Sequence, residues 1–220
     1  MKKTPLLFVY DYENEITTDK VKPGNEWVFE GEGKASIKVD GSACLFKDGK
    51  LWKRFDRRLN KKFDKKFKNG EVFDHITIDM FRDAPDGFIP CEENPDPVTY
   101  HWPGWVPVSA NKPEDAFHIE ALNNSGKLIE GKTYELVGPK LSDNPYKLEK
   151  HELWEHGALE VKIDRDFYSI KKFLKENEVE GLVFAHEDGR MAKVRRKDFN
   201  IFWVKEDLRK THKTKKKLKF

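Results

Sequence analysis

The chain has 220 residues, 37% of them charged and 37% hydrophobic, with 16 Phe, 6 Trp and 6 Tyr, an aromatic supply that packs a core and excludes a disordered chain. Lys and Arg number 42 against 39 Asp and Glu, so net charge alone names no partner and only its distribution can. The two cysteines, Cys44 and Cys91, exclude a disulfide framework and a Cys-x-x-Cys metal site.

From the N-terminus, the apolar run Leu6–Tyr10 is too short for the apolar region of a signal peptide, and no stretch of the chain approaches a membrane span. A soluble protein of the reducing cytoplasm is expected, without a membrane partner. Strands are expected at Leu6–Tyr10, Glu26–Glu30, Ala35–Val39, Ala43–Phe46, Leu51–Phe55, Trp105–Val108, Thr133–Val137, Ala158–Ile163, Gly181–Ala185 and Met191–Val194, where apolar residues run or alternate. Asp48-Gly49 and Asp188-Gly189 each divide two such runs and predict two-residue hairpins. Helices are expected at Pro113–Leu122, with Pro113 in the first turn, and at Asp166–Asn177, where Phe167, Ile170, Phe173 and Leu174 form one stripe. The segment 83–107, rich in Pro, Asp and Gly, reads mainly as loop.

Charge is clustered. Eleven Lys/Arg and three Asp lie between Lys47 and Lys68. Between Glu71 and Tyr100 there are eight acids and one base, Arg82, and Arg209–Phe220 carries seven bases and no acid. Clustered bases suit a phosphate backbone. The segment Lys47–Lys68 and the tail are therefore expected either to meet a phosphate backbone or to form a solvated face and a disordered end.

The chemistry centres on Lys38 in Lys38-Val39-Asp40-Gly41. Strand parity puts Ser36, Lys38 and Asp40 on one face and Ile37 and Val39 on the other. A two-residue turn at Asp188-Gly189 pairs Phe184 with Lys193 and Leu182 with Arg195, so that Glu180, Leu182, Phe184, Lys193 and Arg195 share a face. A free lysine titrates near ~10.4. Neighbouring cations and partial burial depress that value and expose the nitrogen lone pair. Lys193 and Arg195 are thus candidates to activate Lys38 and to bind a phosphate whose charge rises during attack, and Glu180 is a candidate ligand for Mg²⁺. Lys34, of the same parity, is the rival nucleophile but lacks the following Asp-Gly.

Lys38-Val39-Asp40-Gly41, Glu135 in Tyr134-Glu135-Leu136-Val137-Gly138, Glu180-Gly181-Leu182-Val183 and Lys193-Val194-Arg195 resemble, in order, four motifs of the covalent nucleotidyltransferases, the ATP-dependent ligases and GTP-dependent capping enzymes. More narrowly, the chain is similar to the RNA ligase 1 family. The segments that match are 51–57, 95–97 with 103–108, 135–138, Asn144-Pro145-Tyr146 and His156-Gly157-Ala158, within a span from about Trp27 to Trp203.

The resemblance implies an α+β fold: a nucleotidyltransferase (adenylation) domain of two packed, largely antiparallel sheets with flanking helices. The ligase domain would cover residues 1–205, with a basic tail at 206–220; ligases and capping enzymes of the superfamily often carry an OB domain, but little chain follows Arg196 and none is expected here. It implies an ATP-dependent RNA ligase that joins 5′-phosphate and 3′-hydroxyl RNA ends through a lysine-AMP intermediate, working as a monomer with Mg²⁺ or Mn²⁺. Lys38 would be the nucleophile and Glu180 the metal ligand. Arg54 would contact ribose or phosphate, Glu135 the ribose, Lys193 and Arg195 the α-phosphate, and the backbone of Ile37 the adenine edge. His156, or alternatively Trp154, would stack on adenine. Arg195 departs from the Lys-x-Lys pattern; it binds phosphate well but cannot act as a general acid. A ligase or capping-type enzyme of other specificity, and a non-catalytic RNA-binding protein, are the competing readings.

Overall fold

The structure is a computed structural model, in which residues 3–201 of the 220 are described. The expected boundary at 205/206, Trp203 and the basic tail lie outside the described residues. In chain order the elements are β1 (Phe8–Asp11), β2 (Ile16–Val21), β3 (Lys34–Lys38), β4 (Ser42–Lys47), β5 (Lys50–Arg57), α1 (Lys61–Lys68), β6 (Ile89–Pro90), β7 (Trp102–Pro107), α2 (Ala116–Asn124), β8 (Thr133–Val137), β9 (Glu152–Glu155), α3 (Phe167–Glu176), β10 (Gly181–Ala185) and β11 (Met191–Arg195). The class is α+β, and all strand pairs of the sheets are antiparallel. No helix among the described residues is long and apolar enough to cross a membrane. The chain divides into two compact units, one formed by Gly41–Glu155 and the other by Thr4–Asp40 with residues 156–201.

The first unit is built on a six-stranded sheet in the order β6-β7-β5-β4-β8-β9. The β4–β5 hairpin turns as expected at Asp48 (φ 53°) and Gly49 (φ 67°), because Asp-Gly accommodates the two left-handed residues of a tight turn. One face of this sheet sends Cys44, Leu51, Tyr134, Leu136 and Leu153 into a core closed by Ala121 of α2. Burial pushes the Cys44 thiol pKa up, which leaves the sulfur as a small apolar group. A second cluster, of Leu59, Met80, Phe81 and Tyr100, takes Phe63 and Phe67 of α1 against it. In the sequence, helix α1 shows only as a charge run. Asn60 starts it by accepting from the N–H groups of Lys62 and Phe63 at 3.1 and 3.3 Å, an N-cap worth about 1 kcal/mol.

The second unit contains the β1–β2 hairpin and the sheet β11-β10-β3. Its core joins Leu7, Phe8, Trp27, Val28, Ala35, Leu182, Phe184, Ala192 and Val194 to Ile170 and Leu174 of α3. Asp166 caps α3 by accepting from Tyr168 and Ser169 at 2.9 and 3.0 Å. Ile170 and Leu174 are completely buried, each contributing about 1.5–3 kcal/mol.

Three expectations are corrected here. Glu26–Glu30 is not a strand: Glu26–Val28 is a turn of 3₁₀ helix. It is bracketed by glycines 24 and 31 at φ +90° and +86°, and Trp27 and Val28, neighbours in sequence, both point into the core, which a strand would not allow. Ala158–Ile163 is not a strand either, but an extended segment bridged to β3 through Ser36 and Glu160. The β10–β11 hairpin does not turn in two residues. His186 N–H donates to the Arg190 carbonyl at 2.9 Å and Gly189 is left-handed at φ +91°, leaving a three-residue loop. The added residue shifts the register by one, so Val183 faces Lys193 and Gly181 faces Arg195. Leu182 and Phe184 therefore lie on the opposite side, in the core, and do not share a face with the two cations.

Candidate active site

In the second unit the corrected register places the site. Lys38 pairs with Gly181, and Gly181 with Arg195; Ser36 pairs with Val183, and Val183 with Lys193. Side chains in register share a face. Lys38, Lys193 and Arg195 therefore stand on the side of the sheet away from the core-directed residues Ala35, Leu182, Phe184, Ala192 and Val194. The middle of the Lys38 row is a glycine, so no side chain separates Lys38 from Arg195. An added Cβ at Gly181 would lie 2.2 Å from the Val194 carbonyl oxygen and 2.9 Å from the Arg195 Cα, a closeness that only glycine permits.

Glu180, the residue before β10, reaches Lys38: its Oε2 lies 2.5 Å from Lys38 Nζ, and both side chains are about three-quarters buried, at 25% and 22% exposure. Asp198, in the 3₁₀ turn Arg196–Phe199 after β11, holds Arg195. The Arg195 Nη2 donates to Asp198 Oδ1 at 2.7 Å and Nε to both carboxylate oxygens at 3.1 Å, while the Arg195 N–H donates to Oδ2 at 2.8 Å. Asp198 is buried. A guanidinium held by a buried carboxylate is fixed before any ligand arrives. Sequence reasoning did not single out Asp198; the available signal was an acid three residues after Arg195 at the end of a strand.

Lys193 forms no ion pair among the described residues. Burial, and then the positive charges of Arg195 and Lys38, bring its pKa down to about 8, against the opposing pull of Glu180 and Asp198. Three cations thus share this surface with two carboxylates, which favours an anion. Lys34, the rival nucleophile, is bonded at 2.6 Å to Glu160 and is 70% exposed. That hydrogen bond and the Glu160 charge raise its pKa, which holds the amine protonated. The Ile37 N–H donates to the Leu159 carbonyl at 2.9 Å. His156, half-buried, lies in the turn that follows β9.

The other expected residues lie on the sheet of the first unit. Glu135 pairs with Ala43 on one side and Trp154 on the other. The β4–β5 register carries the row from Ala43 to Arg54, which pairs with Trp105. Trp105, Arg54, Glu135 and Trp154 accordingly share the face opposite the α2 core. The Arg54 guanidinium lies 5.9 Å from the Trp105 ring centroid and 3.6 Å from Asp56. Glu135 is buried. Trp154 donates to Glu152 at 2.8 Å and meets the Tyr146 ring at 4.9 Å.

No group of three or more His, Cys, Asp or Glu side chains suited to a metal ion occurs among the described residues. A phosphate-bridging Mg²⁺ needs only one or two protein carboxylates, its other oxygens coming from phosphate and water. Glu180 fits that donor set, whereas Asp198 is committed to Arg195.

Comparison with known proteins gives one answer. The family model for RNA ligase 1 matches residues 16–129 and 126–216. RNA ligase 1 of Pongo abelii is 33% identical, over 76% of this chain and 67% of that protein. RNA ligase 1 of Rattus norvegicus is 30% identical, over 79% and 69% respectively, and that of Danio rerio 27% identical, over 94% and 83%. The family match takes in every residue of the Lys38 surface, and the chain belongs to the RNA ligase 1 family.

Proposed function

We propose that the protein is an ATP-dependent RNA ligase that joins 5′-phosphate and 3′-hydroxyl RNA ends through an AMP-lysine at Lys38. The observation that carries this reading is Lys38 Nζ fixed 2.5 Å from Glu180, on the same sheet face as Lys193 and an Arg195 locked by Asp198.

In the first step the Lys38 ammonium gives a proton to solvent while Glu180 accepts a remaining N–H and orients the lone pair. The nitrogen attacks the α-phosphorus of ATP. An N–P bond forms, the bond to the bridging oxygen breaks, pyrophosphate leaves, and the second proton goes to solvent. Arg195 and Lys193 neutralise charge building on the α-phosphate oxygens. In the second step a 5′-phosphate oxygen of RNA attacks the same phosphorus and the N–P bond breaks, leaving AMP on the RNA end and the amine free. In the third, a 3′-hydroxyl oxygen attacks the 5′-phosphate phosphorus, AMP departs and the strand is closed. Mg²⁺ held by Glu180 would neutralise phosphate charge when bound. Arg54 and Glu135 would serve the nucleotide's ribose and phosphates, and His156 or Trp154 would stack on adenine.

Mass spectrometry of the protein after incubation with ATP and Mg²⁺ tests the reading. The expected result is one added AMP on Lys38, absent from Lys38→Ala. GTP in place of ATP, and nicked DNA in place of RNA, test the specificity. A parent protein with no adduct, or an undiminished adduct in Lys38→Ala, refutes the proposal.

A further inference from the structure

The eleven cations between Lys47 and Lys68 look alike in the sequence, and the fold separates them. Three of those on β5 are used within the protein. Lys53 is bound by the fully buried carboxylate of Asp115. Arg57 is buried; it donates to the Arg82 carbonyl at 2.7 Å and lies 5.4 Å from the Trp102 ring centroid. Arg54 lies against Trp105 and Asp56. The lysines of α1 are turned outward instead. Phe63 and Phe67, four residues apart, pack into the cluster of Leu59, Met80, Phe81 and Tyr100, so the rest of the helix faces solvent. Asp64 takes Lys68 at 2.7 Å and Glu71 takes Lys66 at 3.0 Å. Lys61, Lys62 and Lys65 are exposed and belong to no ion pair among the described residues.

The macrodipole favours Lys65, Lys66 and Lys68 in the last turn, but helix formation does not ask for Lys61 and Lys62. Lys61 and Lys62 occupy the first turn, where the macrodipole favours acids. Lys61 with Lys65, and Lys62 with Lys66, are like charges four residues apart, a spacing that weakens a helix. The first turn, with Lys61 and Lys62 and their like-charged partners four residues on, thus holds positive charge outward against local helix stability, which is the mark of a surface that meets an anion.

We infer that the solvent face of α1 docks the phosphate backbone of single-stranded RNA through Lys61, Lys62 and Lys65; the choice of RNA among polyanions rests on the ligase reading. The three residues fall within about 6 Å along the helix axis, inside a Debye length of roughly 10 Å at 0.1 M salt, and act as one field. Their flexible ammonium groups contact phosphate as point charges, while the aromatic rings of the helix pack into the protein. This face therefore grips the strand without reading bases and without selecting its ends.

The test uses the full chain with Lys61→Gln, Lys62→Gln and Lys65→Gln combined. Binding of a labelled single-stranded RNA is followed across a salt series. Removing three phosphate contacts flattens the slope of log affinity against log salt by about 2. The melting temperature does not fall, since like-charge pairs have been removed. A control with Lys171→Gln, Lys172→Gln and Lys175→Gln on α3 loses the same charge and keeps the parent slope. AMP adduct formation, which needs no RNA, stays at the parent level in both. An unchanged slope in the α1 variant, or an equal flattening in the control, overturns the inference even where the adduct forms normally. Parent protein that binds anionic lipid vesicles but not RNA also overturns it. A parent without any adduct sinks the ligase reading, and the slope comparison then still decides whether α1 binds RNA.

Discussion

At the scale of single residues, Lys193 offers the sharpest handle on the proposed chemistry. Its amine, brought down to about 8 by burial and by the charges of Arg195 and Lys38, is charged below that pH and neutral above it. If the ammonium holds the α-phosphate, ATP binding weakens as pH rises through about 8, losing a charge-assisted contact worth about 1.5–3 kcal/mol. Stability moves the other way. Between about 8 and the unfolded value near ~10.4 the unfolded chain binds more protons, so folding becomes more favourable as pH rises. Lys193→Arg keeps the charge at every accessible pH. The KM for ATP in adduct formation should then stay flat between pH 7 and 9 in the variant and climb in the parent. Matching alkaline profiles would remove Lys193 from phosphate binding. The side of the sheet on which Lys38 stands was legible from strand parity alone, because Ser36, Lys38 and the core-directed Ala35 and Ile37 alternate without interruption. Asp198 was not legible. Its role depends on a turn of 3₁₀ helix that folds the carboxylate back onto Arg195, and no periodicity announces such a turn.

At the scale of elements, two Asp-Gly pairs show what sequence decides and what it leaves open. Asp48 and Gly49 both take positive φ, and the turn closes in two residues. At Asp188-Gly189 only the glycine does so among the loop residues, and His186 closes onto Arg190. Both turns have the same dipeptide between alternating strands, yet one residue of difference reverses which side chains face the core. The burial of Leu182 and Phe184 settles the register, and that is a tertiary fact. In the same way α1 escaped notice because its apolar stripe is only Phe63 and Phe67, and the cluster they complete comes from residues 59–102. Register also makes Gly181 a structural requirement. Gly181→Ala pushes a methyl group into the Val194 carbonyl, forcing β10 away from β11 and displacing Glu180 from Lys38. A loss of about 1–3 kcal/mol in stability is expected, together with slower adduct formation. Gly126→Ala, where an added Cβ meets nothing within 4 Å, should leave both unchanged. Equal urea midpoints for the two variants would show that close strand approach is not what position 181 supplies.

At the scale of the whole molecule, the chain passes between its two compact units after Asp40 and again after Glu155, and each unit has apolar clusters of its own. The cluster around Phe184 draws all its buried members from Thr4–Asp40 and residues 156–201. Those around Leu136 and Tyr100 draw theirs from Gly41–Glu155. Separate cores imply separate units of opening. Phe184 is completely buried, and Phe184→Ala removes about 3–5 kcal/mol from the core beneath Lys38, Lys193 and Arg195. Native-state hydrogen exchange should then show faster exchange in β3, β10, β11 and α3, while β4, β5 and β8 keep the protection they have in the parent. AMP adduct formation should fall with the first group, because the strands that carry the cations are the ones that loosen. The α1 surface belongs to the other unit, so the salt slope for RNA binding should persist in the same variant at temperatures below its melting point. Protection lost evenly across both sets of strands would mean that the two cores open as one, and that the strands of the Lys38 face and the α1 surface do not loosen separately.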